Sequence, residues 1–268
     1  MTFRECVTRI LHYQPADYVP VVHFGFLDET LRKWQREGHI AGDITRIGVD
    51  GSPEQDAFAR RLGFDFNWHT LFSPLMALRP PFQSRVVREF PDGSRWVLNG
   101  EGVVILHKPG AGSIQPDMDH LLKDRAAWEE HYLPRLRYSE ERVLRAPVRV
   151  GDRVLPFAEG GLEYLKRGEW ETPLGLSCGS LYGWVRNWLT LEGACYLQVD
   201  DPALFAEIID TNAELCYRCV ERVLESGARF DFAHFWEDIA FKNGPLISPA
   251  VFEQRVGPHY RRITQLCR

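Results

Sequence analysis

The sequence predicts an α/β protein with parallel strands, because short apolar runs of strand length alternate with longer segments of helical period. The clearest helix covers residues 202–226, where a proline stands at the start and a glycine follows the end. After it come a strand-like apolar run at 230–235, an acidic loop, and a helix that begins at Pro249 behind the N-cap residue Ser248. This order of strand, loop and helix is typical of a parallel sheet covered by helices.

In the first quarter of the chain, the pattern predicts a short helix, a first strand and two further helices. Val7, Ile10 and Leu11 recur at helical spacing and form the apolar face of the first helix. The strand is an apolar run that stops before Gly25, and Gly38 is suited to end the helix that follows. The predicted ranges are 2–13 (helix), 19–24 (strand), 27–38 (helix) and 53–62 (helix).

Residues 85–108 differ in character and predict an antiparallel insertion. Two β-type runs, at 85–90 and 94–98, flank a Pro-Asp-Gly turn, which is a strong hairpin signal. Residues 103–107 supply a third strand. We expect an irregular loop at 109–116, where glycine and proline dominate.

The middle of the chain predicts further helices, one irregular segment and one strand. The 202–226 helix should bury a stripe of apolar side chains and be capped by Asp200 or Asp201. The predicted ranges are 123–131 and 139–145 (helices), 150–172 (irregular), 174–178 (strand) and 181–195 (an aromatic-rich helix). The stripe consists of Leu204, Phe205, Ile208, Ile209, Leu215 and Val223.

Length and composition exclude several classes of function. A chain of 268 residues with 44% hydrophobic content can bury one large core, and length alone permits one or two domains. The net charge of −5 provides no basic field for nucleic acid, and no apolar run approaches the roughly 20 residues that a membrane span needs. Six scattered cysteines suit a reducing compartment, so we expect a cytoplasmic protein without nucleic-acid or membrane partners.

Three motifs near the C-terminal end carry a resemblance to a known family. They are Phe235-Trp-Glu-Asp238, Gly244-Pro-Leu-Ile-Ser-Pro249 and Pro258-His-Tyr-Arg-Arg-Ile263. This run resembles the uroporphyrinogen decarboxylase superfamily, which includes the decarboxylase of haem biosynthesis and methyltransferases that exchange methyl groups with corrinoid proteins. Weaker similarity extends to residues 19–25, 123–128 and 189–193. The resemblance implies that residues 1–268 form a single domain, the N-terminal portion of a TIM-type (β/α)8 barrel that is incomplete in this chain, with the 85–108 insertion beside it.

The carboxylates that follow the 230–235 strand are the first candidates for chemistry. Glu237 and Asp238 stand where a barrel strand ends, and barrel enzymes build their sites at the C-terminal ends of strands. A carboxylate there can act as a base or orient a substrate. The alternative is that one of them caps a neighbouring helix or pairs with Lys242. His23, at the end of the first strand, is the third catalytic candidate.

Four further residues are candidates for substrate binding. His234 lies on the last strand, although a packed and hydrogen-bonded histidine is the simpler interpretation. Tyr182, Arg186 and Trp188 fall on the aromatic-rich helix. With Trp184 and the Trp68–His69 pair, the aromatic residues could line a flat pocket for a macrocycle, or they could simply pack in the core.

The resemblance implies two enzyme activities, and the residues favour one of them narrowly. The decarboxylases hold substrate carboxylates with arginines after the first strand, but residues 23–29 contain no arginine. Corrinoid-linked methyl transfer is therefore the first hypothesis, decarboxylation of a porphyrinogen with Arg186 as a substitute is the second, and a non-catalytic domain that binds a corrinoid or a protein is the third.

Cofactor and partner expectations follow from the same resemblance. The partner would be a tetrapyrrole-type small molecule or a corrinoid protein, and a homodimer is left open. The zinc ligands of the methyltransferases, a His-x-Cys pair and a later cysteine, would lie past residue 268. Cys216 and Cys219 have C-x-x-C spacing, but they fall inside a helix and are expected to be core residues.

Overall fold

The computed structural model describes residues 1–41, 43–110, 112, 114–151 and 153–268. It shows a mixed α/β chain in which helices alternate with short parallel strands, as the sequence predicts. The helices are α1 Phe3–Leu11, α2 Asp28–Arg36, α3 Ile44–Ile47, α4 Pro53–Arg61, α5 Arg125–Ala127, α6 Glu141–Leu144, α7 Leu162–Arg167, α8 Gly183–Asp200, α9 Pro202–Glu225, α10 Pro249–Val251 and α11 Gly257–Leu266. The strands are β1 Val22–His23, β2 Phe66–Asn67, β3 Leu71–Phe72, β4 Arg85–Glu89, β5 Arg95–Leu98, β6 Val103–His107, β7 Asp117–His120, β8 Pro147–Val150, β9 Arg153–Pro156, β10 Gly175–Ser177, β11 Phe232–His234, β12 Ala240–Phe241 and β13 Gly244–Pro245.

The parallel strands follow one another across the sheets in chain order. β1 pairs with β2, so that His23 lies opposite Asn67. β3 starts four residues after β2 ends and pairs with β10, which in turn pairs with β11. In the described part of the chain, these strands form one two-stranded and one three-stranded parallel sheet rather than a closed barrel.

The predicted antiparallel insertion is present and is larger than expected. β4, β5, β6 and β7 form a four-stranded antiparallel sheet in that order, with the predicted turn between β4 and β5. The sequence analysis missed β7, which pairs with β6 across a register shift. The predicted irregular loop at 109–116 includes Ala111 and Ser113, which lie outside the described residues.

The segment 150–172, predicted to be irregular, contains regular structure. β8 and β9 form a hairpin around Gly151, whose φ of +60° suits a tight turn, although Asp152 lies outside the described residues. α7 follows within the same segment. The sequence analysis missed these elements because the segment is rich in glycine and charged residues. The hairpin is fixed by its turn and not by an apolar run that the sequence would show.

The first predicted strand proves shorter than 19–24. Only Val22 and His23 pair with β2, while Val19, Val21 and Phe24 remain exposed. The apolar run therefore predicted too long a strand, because hydrogen bonding to a neighbouring strand decides where a strand begins and ends.

The long helices α8 and α9 organise the main core. All six residues of the predicted α9 stripe are buried, and the side chain of Asp201 caps α9 by accepting a hydrogen bond of 2.9 Å from the N–H of Leu204. Cys216 and Cys219 are fully buried on this helix, as expected of core residues. α8 begins two residues later than predicted and extends to Asp200, with a break at Thr190. In the part of the chain that the structure describes, no helix combines the length and apolarity that a membrane crossing requires.

Candidate functional site

The carboxyl ends of the parallel strands gather polar side chains at one edge of the sheets. His23 ends β1, Asn67 ends β2 and His234 ends β11. Because parallel strands point the same way, their final residues lie at the same edge, where α/β proteins place their sites. His69 follows β2 by two residues and joins this edge.

Glu237 occupies a structural position at this edge. Its carboxylate accepts hydrogen bonds from three successive backbone N–H groups at the start of α8, those of Leu181, Tyr182 (3.2 Å) and Gly183 (2.8 Å). The first N–H groups of a helix lack partners within the helix, and a carboxylate placed there satisfies them. This geometry favours the alternative that one of the two carboxylates caps a neighbouring helix.

Asp238 forms an ion pair with Arg186, the basic residue predicted to bind substrate. The guanidinium of Arg186 donates a hydrogen bond of 3.0 Å to the carboxylate. The side chain of Arg186 is 15% exposed and that of Asp238 is 54% exposed. Arg186 is therefore largely committed to an internal partner, whereas one face of Asp238 is open to solvent.

His69, which was not among the predicted catalytic residues, lies in a setting suited to a general base. The Nδ1 atom of His69 lies 3.4 Å from a carboxylate oxygen of Asp50. A carboxylate beside Nδ1 favours the proton on that nitrogen and leaves Nε2 as an acceptor. The pair thus has the arrangement of a general base and the residue that orients it.

Buried amides fix the position of Asp50. Asn67 Nδ2 donates to Asp50 Oδ1 and to Gln55 Oε1, both at 2.7 Å, and Gln55 Nε2 donates to the same Asp50 oxygen at 3.2 Å. Asn67 and Gln55 are fully buried. Burial opposes the effect, but the hydrogen bonds from His69, Gln55 and Asn67 together hold the pKa of Asp50 below its ordinary value. Asp50 is therefore ionised and held in place.

His234, the last residue of β11, lies next to His69. Its ring lies edge to face with that of His69, with 5.5 Å between the centroids. Burial lowers the pKa of His234, and the neighbouring His69 lowers it further. Its Nδ1 atom is buried and has no hydrogen-bond partner among the described residues. His234 is thus a neutral imidazole next to His69.

His23 lies deeper than the other two histidines. Its Nδ1 accepts a hydrogen bond of 3.0 Å from the N–H of Gly25, and its ring stacks on Phe26 with 4.8 Å between the centroids. Burial lowers its pKa, against the opposing effects of the Gly25 hydrogen bond and of nearby carboxylates. Nε2 of His23 is buried without a hydrogen-bond partner among the described residues.

A cleft of about 470 Å³ opens beside β3, and both Asp50 and His69 line it. This volume falls in the range of roughly 300–1,000 Å³ that is usual for small-molecule sites. Four further charged residues contribute to its wall, namely Asp56, Arg60, Arg149 and Glu171. Burial raises the pKa of Asp56, while the two arginines and His23 act in the opposite direction. The cleft therefore offers a polar pocket next to the proposed base.

The structure does not assemble the aromatic residues into one flat pocket. Tyr182 and Trp188 are fully buried on α8, and Trp188 packs near Tyr132 with 6.0 Å between the centroids. Burial raises the pKa of Tyr182 to about 12, and its hydroxyl donates to the carbonyl of Leu246 at 3.3 Å. Trp68 packs elsewhere, against Phe232 at 4.9 Å.

The sequence analysis did not predict a role for Asp50, Gln55 or Asn67. It considered His69 only as part of the wall of a flat aromatic pocket. These residues lie within 20 positions of one another, but no spacing rule connects a loop, a helix and a strand end. The only local signal was the helix start at Ser52 and Pro53, which places Gln55 in the first turn of α4.

Comparisons with known proteins give limited results. No family model matches the sequence, and no curated protein matches it. Among solved structures, the chain is similar to a methyltransferase from Methanosarcina mazei with a TM-score of 0.45 and 13% identity, over 99% of this chain and 67% of that chain. A likeness at this level carries no information about the residues of the site.

Proposed function

We propose that residues 1–268 form part of a single (β/α)8-type barrel domain of the uroporphyrinogen decarboxylase superfamily, and that the site at its strand ends catalyses corrinoid-linked methyl transfer to a small acceptor. The parallel strands are β1, β2, β3, β10 and β11. They follow one another across the sheets in chain order, which supports the barrel. The observation that carries the activity is the His69–Asp50 pair, which lies beside His234 and lines the cleft.

The proposed reaction needs a base, and His69 can serve as one. An acceptor thiol bound in the cleft would transfer its proton to Nε2 of His69. The bond between the methyl group and its donor would break as the sulfur–carbon bond forms, and the electron pair of the broken bond would stay on the donor. Asp50 stabilises the imidazolium that forms, because its carboxylate faces Nδ1. Neutral His234 contacts the His69 ring and excludes water from one side.

The methyl group would be supplied by a methylated corrinoid that its own carrier protein presents. Two aromatic side chains are available at the strand ends to contact such a ring. Phe24 follows β1 and is 68% exposed, and Trp236 follows β11 and is 40% exposed. Exposed aromatic side chains at an otherwise polar site are typical of a docking surface.

The described residues contain no ligand set for the zinc ion of the related methyltransferases. Among them, no group of three or more His, Cys, Asp or Glu side chains is placed to hold a metal ion. The thiol proton is assigned to His69 instead.

The residues that the sequence selected take different roles in this proposal. His23 and His234 belong to the strand-end site. Asp238 and Arg186 form an ion pair and do not line the cleft, so they would act indirectly by joining the loop after β11 to α8. Glu237 acts indirectly, since it holds the N-terminus of α8.

The remaining two candidates lie inside the protein rather than on the cleft wall. Tyr182 and Trp188 would therefore act by supporting α8 from within the core.

A methyl-transfer assay tests the proposal directly. The protein is mixed with methylcobalamin and 2-mercaptoethanol, and S-methylation is measured by mass spectrometry. We expect protein-dependent methylation that His69→Ala lowers by about 100-fold or more, which is the usual contribution of a general base. His39→Ala is the matched control, because the His39 side chain is 69% exposed and lies outside the site.

Other outcomes would favour the competing hypotheses. Release of carbon dioxide from uroporphyrinogen, without methyl transfer, would replace the proposal with decarboxylation. Tight cobalamin binding without turnover would replace it with a non-catalytic binding domain. Equal activities of the His69 and His39 variants would remove His69 as the base.

A further inference from the structure

A second cavity lies between α8 and the insertion sheet. Its volume is about 210 Å³, and none of its lining residues lines the strand-end cleft. An apolar cavity of roughly 150 Å³ already holds a ligand the size of benzene. This cavity therefore has room for a compact small molecule, but not for a tetrapyrrole.

The wall of this cavity is mostly aromatic and aliphatic. Trp184 and Trp188 face it from successive turns of α8, while Leu78 and Pro81 close the opposite side. The Trp184 ring also borders the end of β10, since a Cβ atom added at Gly179 would lie 3.3 Å from it. Indole rings attract cations more strongly than the other aromatic side chains do.

The cavity wall contains one ionisable side chain, Glu101, among the described residues. The Glu101 carboxylate accepts no hydrogen bond from any described residue, whereas the backbone carbonyl of the same residue accepts one of 3.1 Å from the Tyr132 hydroxyl. Glu101 is half-buried, and a carboxylate that loses part of its hydration without gaining a hydrogen-bond donor is destabilised. A bound cation would supply the missing counter-charge.

Two charged side chains act on Glu101 from neighbouring elements. Burial raises the pKa of Glu101, and the Asp117 carboxylate on β7 raises it further, while the guanidinium of Arg186 acts in the opposite direction. Arg186 donates its hydrogen bond to Asp238 rather than to Glu101. A cation bound in the cavity would act in the same direction as Arg186 and favour the ionised form of Glu101.

We propose that this cavity binds a small methylated ammonium cation, with Trp184 and Trp188 contacting its methyl groups and Glu101 providing the counter-charge. Methyl groups suit the wall, because Glu101 is the one residue with a polar or charged side chain other than the two indoles among the described residues that line the cavity. Aromatic side chains with a carboxylate are the usual means of recognising quaternary ammonium groups. This binding site stands independently of the proposed methyl transfer.

Titration with choline and with its uncharged isostere 3,3-dimethylbutan-1-ol tests the proposal. The two molecules share one shape and differ in charge, so isothermal titration calorimetry isolates the cationic contribution. We expect choline to bind, and the isostere to bind about tenfold more weakly, which corresponds to about 1.4 kcal/mol. No heat of binding for choline, or equal affinities of the two ligands, would overturn the proposal.

Two variants assign the binding to this cavity. Glu101→Gln keeps the shape and removes the charge, so choline affinity should fall about tenfold. Glu89→Gln is the matched control, because Glu89 is exposed on β4 and does not line the cavity. If Glu101→Gln fails to fold by circular dichroism, Trp184→Leu replaces it with the same expected loss. Unchanged affinity in the folded cavity variant would place choline elsewhere and reject the site.

Discussion

The carboxylate of Glu237 accepts a hydrogen bond of 2.8 Å from the backbone N–H of Gly183, the first residue of α8. The Tyr182 N–H donates to the same carboxylate at 3.2 Å. This contact joins the loop after β11 to the helix that follows β10. Tyr260 lies close to the same carboxylate, since its pKa is raised by burial and by the charge of Glu237.

Replacing Glu237 should therefore change stability more than replacing its neighbour. Glu237→Gln removes the charge that satisfies the helix N-terminus, and we expect the free energy of unfolding to fall by about 1.5–3 kcal/mol. Asp238→Asn breaks only a half-exposed ion pair and should cost about 0.5 kcal/mol. Urea denaturation followed by circular dichroism measures the free energy of unfolding of both variants. Equal losses would mean that the cap contributes no more than the surface pair.

Gly25 holds the loop after β1 close to Asp50. Its φ is +101°, and a Cβ atom there would lie 2.8 Å from Asp50 Oδ1. Gly25→Ala should lose about 1–3 kcal/mol from backbone strain, with a further loss of about 1–3 kcal/mol from the contact. Gly38→Ala separates the two effects, since its φ is +80° and no atom lies within 4 Å of the added Cβ. A similar loss at both positions would show that Asp50 moves aside freely.

The buried His23 should make stability depend on pH. Its pKa is lowered in the folded state, so below the ordinary value of 6.5 the unfolded chain binds a proton that the folded chain does not. The contribution of His23 to stability is thus fully present above that value and is lost as the pH falls towards the lower folded pKa. Asp50, whose pKa is also lowered, loses its contribution only in more acidic solution, below its ordinary value of 3.8.

The free energy of unfolding at several pH values between about 7.5 and 5 measures this effect, within the window that His titration sets. We expect His23→Gln to flatten the decline relative to the unsubstituted protein. His39→Gln, at an exposed position, should leave the slope unchanged. A slope that is the same in both variants would contradict the assignment to His23.

Thr190 is strained within α8. Its φ of +60° and ψ of 168° lie in a region that only glycine adopts freely, and the helix is broken there. Thr190→Gly should relieve strain of about 1–3 kcal/mol while costing about 0.5–1 kcal/mol in chain entropy. We expect a net gain of about 1 kcal/mol on these estimates, measured by urea denaturation. Thr190→Ala keeps the strain and should show no gain, so stabilisation by alanine would contradict the explanation.

Local signals predicted those elements that depend on neighbouring residues. The α9 stripe and the turn between β4 and β5 were predicted and are present, and of the two predicted caps of α9, Asp200 and Asp201, the structure shows Asp201. Ser248 accepts a hydrogen bond from the Val251 N–H, as an N-cap should. Each of these features is fixed within a few residues, so the sequence alone contains the information.

Contacts between distant segments could not be predicted in the same way. The sequence marked Glu237 as a carboxylate at a strand end, but its three donors lie more than 50 positions away at the start of α8. The pairing of His69 with Asp50 and its approach to His234 likewise depend on how β3 and β11 are placed on the two sides of β10.

By itself, the sequence determined the alternation of strands and helices, the buried face of α9 and the clustering of polar residues after strands. The tertiary structure alone decided that Glu237 stabilises a helix and that Asp50 is held against His69. The physical reason is that periodicity, caps and turns are set by interactions within about one or two helical turns of chain. A carboxylate's role is set instead by whichever donors the fold brings within about 3 Å of it.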